Sequence, residues 1–214
     1  MRTTKQTYRE FIDNSFPGYE VRKPLYFTWH LGIRFDLQEL HRVTVSQNDD
    51  VYFKACLNRA VNIFESTFSK TDDVFIVITS FKHKKRKIRV SNFIYKQISG
   101  LENRDISYRK VRDICSRGDK SLIWNQAIII TNISKINYME ILSANINSDF
   151  ARRNPHANEF VFFINIRTKS ILHVYDDRGL DFISSDKGFA KSIFEKHKNW
   201  VLDIDFDKVR KQFE

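Results

Sequence analysis

FVFFINI (160–166), RTKS (167–170) and ILHVY (171–175) are the residues whose reading decides the fold. Each apolar run has the length of a buried strand. The four residues between them are polar and turn-forming, too few for a crossover helix. The spacing predicts a β-hairpin and with it an antiparallel sheet.

Working outward, helices and further strands appear without regular alternation. Tyr8, Phe11, Ile12 and Phe16 mark a first helix, which Pro17-Gly18 stops. YFTWHLGIRFDL (26–37) reads as a half-buried strand, since Ile33, Phe35 and Leu37 alternate with Arg34 and Asp36. Asn48-Asp49-Asp50 caps a long helix whose apolar face is Phe53, Cys56, Leu57, Ala60, Val61, Phe64 and Phe68. VFIVITSF (74–81) and WNQAIIIT (124–131) are strands. Val90, Phe93, Ile94 and Ile98 suggest a short helix, and residues 107–115 a weaker one. Three more are expected: Tyr138 to Phe150 capped by Asn137, one from Asp186, and one after Asp205. The expected class is α+β: a mainly antiparallel sheet with helices packed against it, one domain over residues 1–214. The basic segment 82–120 is expected as a protruding sub-element.

The net charge is +10 over 214 residues, and it is not evenly spread. Residues 1–80 are neutral, 81–120 carry net +9, and 121–214 carry net +1. The centre of this excess is Lys82, Lys84, Lys85, Arg86, Lys87 and Arg89. Such a run is either a solvated loop or an attractor of an acidic protein or a phosphate backbone. It lacks the aromatic, Gly-rich signature of an RNA-binding strand and any zinc-finger spacing.

Compartment follows by exclusion. The amino end has no apolar core and carries Glu10 and Asp13, so it does not read as a signal peptide. The longest apolar runs, 74–78 and 160–164, fall far short of the roughly 20 residues of a membrane helix. Two Cys argue against a disulfide scaffold and suit a reducing cytosol. A soluble cytoplasmic protein without a membrane partner is expected.

Familiar catalytic spacings are missing. There is no Gly-rich phosphate loop, no His-Glu-x-x-His, no Gly-x-Ser-x-Gly and no Cys-x-x-Cys. The six His are scattered without metal spacing. Cys56 reads as a core thiol; Cys115, beside Arg112 and Arg117, reads as filler or as a thiol of lowered pKa. No cofactor and no metal are expected.

The stretch that stands out is YDDRGLDF (175–182). Asp177-Arg178-Gly179 suits a type I turn, with Gly179 supplying a positive φ. Arg178 can fork onto one of the carboxylates. Two other readings stand beside the turn: a charged recognition surface made by Tyr175, Asp176, Asp177, Arg178 and Asp181, and paired carboxylates binding a divalent metal. Arg178 opposes the metal, because it competes for the same oxygens.

On these residues the chain resembles an uncharacterised bacterial family, a domain of unknown function with a Tyr-Asp-Asp-Arg-Gly motif. PLYFTWHLGIRFDL (24–37) is similar to that family's early strand, and RAVNIFESTFSKTDDVFIVI (59–78) to its helix-acid-strand passage. The chain departs from the pattern at Leu37-Gln38. The resemblance spans roughly residues 20–185. It implies a small cytosolic bacterial protein without an established activity, and it transfers no catalytic residue.

The leading functional expectation is a non-enzymatic protein that binds another macromolecule, in immunity-like or antitoxin-like form. The partner is expected to be a protein with an acidic face. The alternatives are non-specific nucleic-acid binding through 82–120, and a hydrolase or transferase centred on Asp176, Asp177 and Arg178.

Overall fold

The computed structural model describes residues 3–38, 50–83, 93–111 and 122–214, with backbone alone at 81–83 and 122–123. The described chain forms one seven-stranded antiparallel sheet with helices on both faces, an α+β architecture. In chain order the elements are α1 (Thr4–Ser15), β1 (Gly32–Asp36), α2 (Asp50–Thr67), β2 (Asp73–His83) and α3 (Phe93–Lys96). There follow β3 (Ile106–Val111), β4 (Leu122–Asn132), α4 (Tyr138–Ile146), β5 (Phe160–Asn165), β6 (Ser170–Asp176), β7 (Gly179–Ser184), α5 (Lys187–His197) and α6 (Asp203–Lys211). Across the sheet the strands run β1-β7-β6-β5-β2-β4-β3.

The expected hairpin is β5–β6, with Asn165 opposite Ser170. Its turn is tied to the α2–β2 corner. Asp72 accepts from Arg167 Nε at 2.6 Å and from Asn165 Nδ2 at 2.7 Å, and Asn165 Oδ1 accepts from the backbone N–H of Arg167 and Thr168. Burial alone would raise the Asp72 pKa. Arg167, the Ser69 N–H and Asn165 together outweigh it and hold the carboxyl below its usual range.

Strand β2 is the spine. Val74, Ile76 and Ile78 face one core with α2, α4, α5 and α6; Phe75 and Val77 face a second core with α1 and the 16–25 stretch. A strand buried on both faces needs an unbroken apolar run, which explains VFIVI. Each such side chain contributes about 1.5–3 kcal/mol when fully buried. In α1 the chain starts with a capping box: Thr3 Oγ1 accepts from the Gln6 N–H, and Gln6 Oε1 accepts from the Thr3 N–H. This helix lays Tyr8 and Ile12 on Phe75 and its neighbours.

Several expectations need correction. Residues 107–115 were expected as a weak helix, but Ile106–Val111 is strand β3, paired from Ile106↔Ile129 to Val111↔Trp124. Tyr108 and Lys110 alternate with Ser107, Arg109 and Val111, and long-range pairing with β4 overrides a weak local helical pattern. The 26–37 strand shrinks to Gly32–Asp36, because the preceding residues turn to cover the sheet. The short helix suggested near Val90 to Ile98 is Phe93–Lys96; Ile98 instead bridges Ile136. The α4 helix ends at Ile146 and continues as a 3-10 turn, Asn147–Asp149. Asn48, Asp49, Val90 and Cys115 lie outside the described residues. Within 82–120, α3 and β3 are built into the core and the sheet.

Candidate functional site

The motif 175–179 forms the β6–β7 hairpin. Asp176 pairs with Gly179 across a two-residue turn, Asp177-Arg178, and a bulge lies between Val174 and Asp176. Gly179 does not adopt a positive φ: among the described residues Gly18, Gly100 and Lys169 do. Its requirement is space. A Cβ at Gly179 would collide with the Tyr175 hydroxyl and come within 2.8 Å of the Phe35 carbonyl oxygen. The glycine thus permits close approach of β1 and the bulged Tyr175.

The motif's charged groups divide into three separate arrangements. In the first, Asp176 Oδ1 accepts the Arg178 N–H at 2.8 Å, and Oδ2 accepts from Arg178 Nε at 3.0 Å and from Nη2. Arg178 also reaches Asp149 at 3.6 Å. The hydrogen-bonded Asp176 carboxylate raises the already high arginine pKa further. In the second, Asp177 accepts from Tyr52 Oη at 2.5 Å, and Tyr52 Oη accepts from Gln38 Nε2 at 2.5 Å. Burial pushes the pKa of Asp177 up, and burial with the Asp177 bond pushes that of Tyr52 up. This link ties the turn to α2 and to the end of β1, where Arg59 holds the Gln38 carbonyl at 2.6 Å.

In the third, Asp181 is fully buried and receives a fork from Arg34: Nε to Oδ1 at 2.8 Å, Nη2 to Oδ2 at 3.1 Å. Residues 34 and 181 are direct partners across β1 and β7, so register alone brings them together. The guanidinium lies about the rings of Tyr175 (5.0 Å), Phe27 (4.9 Å) and Tyr26 (5.3 Å). Tyr26 Oη donates to Asp205 at 2.9 Å, and Lys208 stands over the same ring at 4.5 Å, so α6 is locked onto this corner.

The five motif residues therefore do not share one surface. Asp176, Asp177 and Asp181 are buried, Tyr175 is half-buried, and the Arg178 side chain is 63% exposed. A general acid or base needs a carboxyl that can reach substrate, and each of these three is bonded to a residue of the fold. Among the described residues no group of three His, Cys, Asp or Glu is placed to hold a metal ion. Burial pushes the Cys56 thiol up to about 12.

Arg34, Tyr52, Gln38, Asp149 and Tyr26 are partners that sequence reasoning missed. Arg34 alternates with Ile33 and Phe35 and so read as solvent-facing. The signal available was the aromatic run Tyr26, Phe27, Trp29, which covers that face; Trp29 Nε1 donates to the Ser184 carbonyl at 2.8 Å.

Of the basic residues, Lys82 lies on β2 with its backbone opposite Ile123. Lys84, Lys85, Arg86, Lys87 and Arg89 lie outside the described residues. The neighbouring edge strand β3 is described. Arg109 donates to the buried Gln126 Oε1 at 2.8 Å and packs on Tyr8, whereas Tyr108 and Lys110 are exposed.

No helix among the described residues is long and apolar enough to cross a membrane. A relative, "Uncharacterized protein YnaE" of Bacillus subtilis (strain 168), is 26% identical over 204 residues, covering 89% of this chain and 95% of the relative. No solved structure matches the chain. The family model described as "Domain of unknown function (DUF3885)" matches residues 8–205, nearly the whole fold including the β6–β7 turn and its partners, and the chain therefore belongs to that family.

Proposed function

We propose that this is a non-enzymatic protein of the bacterial cytosol that binds another macromolecule, a protein with an acidic face, as in an immunity-like or antitoxin-like pair. One observation carries the reading. The motif's carboxylates are engaged by Arg178, Tyr52 and Arg34, while the chain's positive excess lies at 81–120. Charge paired inside the fold is not free to meet a partner; charge gathered in one segment steers a partner of opposite sign. Lys82, Lys84, Lys85, Arg86, Lys87 and Arg89 would supply that field. Within the motif, Arg178 would be the member that meets a partner, with Asp176 and Asp149 fixing its position, while Tyr175, Asp177 and Asp181 hold the surrounding corner.

Affinity capture from the organism that encodes the chain, with and without nuclease treatment, tests this. The expected result is an acidic protein retained after nuclease and lost when the six basic residues are made neutral. Capture abolished by nuclease would point to nucleic acid instead. Turnover of a small molecule that disappears with Asp177→Asn at unchanged stability would point to an enzyme.

A further inference from the structure

The sheet has two edges, and they are finished differently. Edge strand β1 is covered: Phe35 bridges Val201, and α6 packs beside it through Tyr26 and Asp205. Edge strand β3 pairs with β4, and among the described residues no other strand lies beyond it. The Ile106 N–H is taken by Asn103 of the preceding 3-10 turn. For Ser107 to Val111 no described residue outside β4 supplies a backbone hydrogen bond. Among the described residues the outward N–H and C=O groups of this edge have no backbone partner, the arrangement to which an extended chain of suitable side-chain chemistry can add.

That chemistry can be read from the residues. Tyr108 is 62% exposed, Lys110 on the same face is exposed, and Arg109 lies on the other face. The surrounding segment 81–120 carries 13 Lys+Arg against 4 Asp+Glu. A second copy of the chain pairing edge to edge would set like charges against each other, which is destabilising. An acidic strand meets opposite charge on both faces and an aromatic ring on one.

We infer that β3 is a docking edge for an extended, acidic segment of a partner protein, which adds to the sheet beyond β3 by main-chain pairing at Ser107–Val111. This rests on the acidic-protein reading above and specifies its site and mode. Main-chain bonds supply affinity; alternate acidic side chains on the face that carries Tyr108 and Lys110 supply selectivity.

The probe is a short fluorescent peptide of alternating Glu and Val, titrated against the full chain by anisotropy, with amide exchange recorded on the bound form. Two controls are a Lys-Val peptide and the Glu-Val peptide N-methylated on alternate amides. The expected result is binding of the Glu-Val peptide with new protection at Ser107–Val111, and loss of both with either control. Tyr108→Ser combined with Lys110→Glu, both exposed positions, should weaken binding by about tenfold or more, a change of about 1.4 kcal/mol. Binding that survives N-methylation, or protects residues other than β3, overturns the docking edge while leaving an acidic partner in place. No binding of the Glu-Val peptide also overturns it, and the capture experiment then decides the acidic-partner reading separately.

Discussion

At the β1 edge Asp181 is fully buried and Arg34 forks onto both its oxygens, whereas at the β3 edge Tyr108 and Lys110 face outward with no described strand beyond them. Both regions are charged and aromatic, and composition alone does not separate them. Connectivity does. Around Arg34 each charged or aromatic group meets a partner from another element: Asp181 from β7, Tyr175 from β6, and Tyr26 with its bond to α6. Around Lys110 no such closure is made among the described residues. A charge paired within its own fold is costly to disrupt from one side; one at an edge with no described strand beyond it is where the proposed partner would dock.

The largest effect expected from this contrast is at Arg34. Arg34→Met keeps much of the volume but strands the Asp181 carboxylate in the interior. Breaking one side of a buried pair costs about 3–5 kcal/mol, so urea denaturation should show a loss on that scale. A loss below about 1 kcal/mol, the range of exposed pairs, would remove the distinction between the edges.

Acid tests the interior next to this corner. His173 lies opposite Asp181 across β6 and β7, and its Nδ1 is 2.9 Å from the Val161 carbonyl oxygen. A carbonyl can only accept, so Nδ1 carries a proton and donates it. Burial lowers its pKa from 6.5 to about 4. The unfolded chain takes up this proton first as pH falls. The contribution is therefore complete above pH 6.5 and declines toward pH 4, by roughly 3 kcal/mol in all. His173→Gln, which retains a donor, should flatten that part of the stability profile relative to wild type. An unchanged slope would show that this histidine does not set it.

Smaller effects follow at the turn. Gly179→Val places a side chain against Tyr175 and the Phe35 carbonyl. Overpacking of this kind costs about 1–3 kcal/mol, measured by denaturation. Gly179→Ala should already destabilise, since the clash begins at Cβ. Wild-type stability in both variants would contradict the close approach. Arg178→Ala removes a largely exposed side chain from buried Asp176, so about 1 kcal/mol is expected. Lys110→Glu, at the open edge, should stay within about 0.5 kcal/mol.

The sheet was legible where local pattern and tertiary role agree. The FVFFINI and ILHVY hairpin, the VFIVI spine and the apolar face of α2 each bury what their periodicity marks. Residues 107–115 misled because six residues with mixed side chains become a strand only once β4 pairs with them. The motif was legible as a turn, and the Asp176–Arg178 fork as a pairing. Its other partners were not. Tyr52 is 125 residues from Asp177 and Arg34 is 147 from Asp181, separations that no local pattern encodes. Gly179 was identified as necessary for a reason the structure replaces: a turn angle was expected, and a close approach is found.

The central claim is that the buried corner holds the fold while the open edge binds. Side-by-side measurement of urea stability and Glu-Val peptide affinity for Arg34→Met and for the Tyr108→Ser, Lys110→Glu pair tests it most directly. The account predicts a crossed result. Arg34→Met loses about 3–5 kcal/mol of stability yet binds the peptide normally wherever it remains folded. The edge variant keeps wild-type stability and loses affinity. Wild-type stability with lost binding in Arg34→Met, or equal affinity in the edge variant, would contradict it.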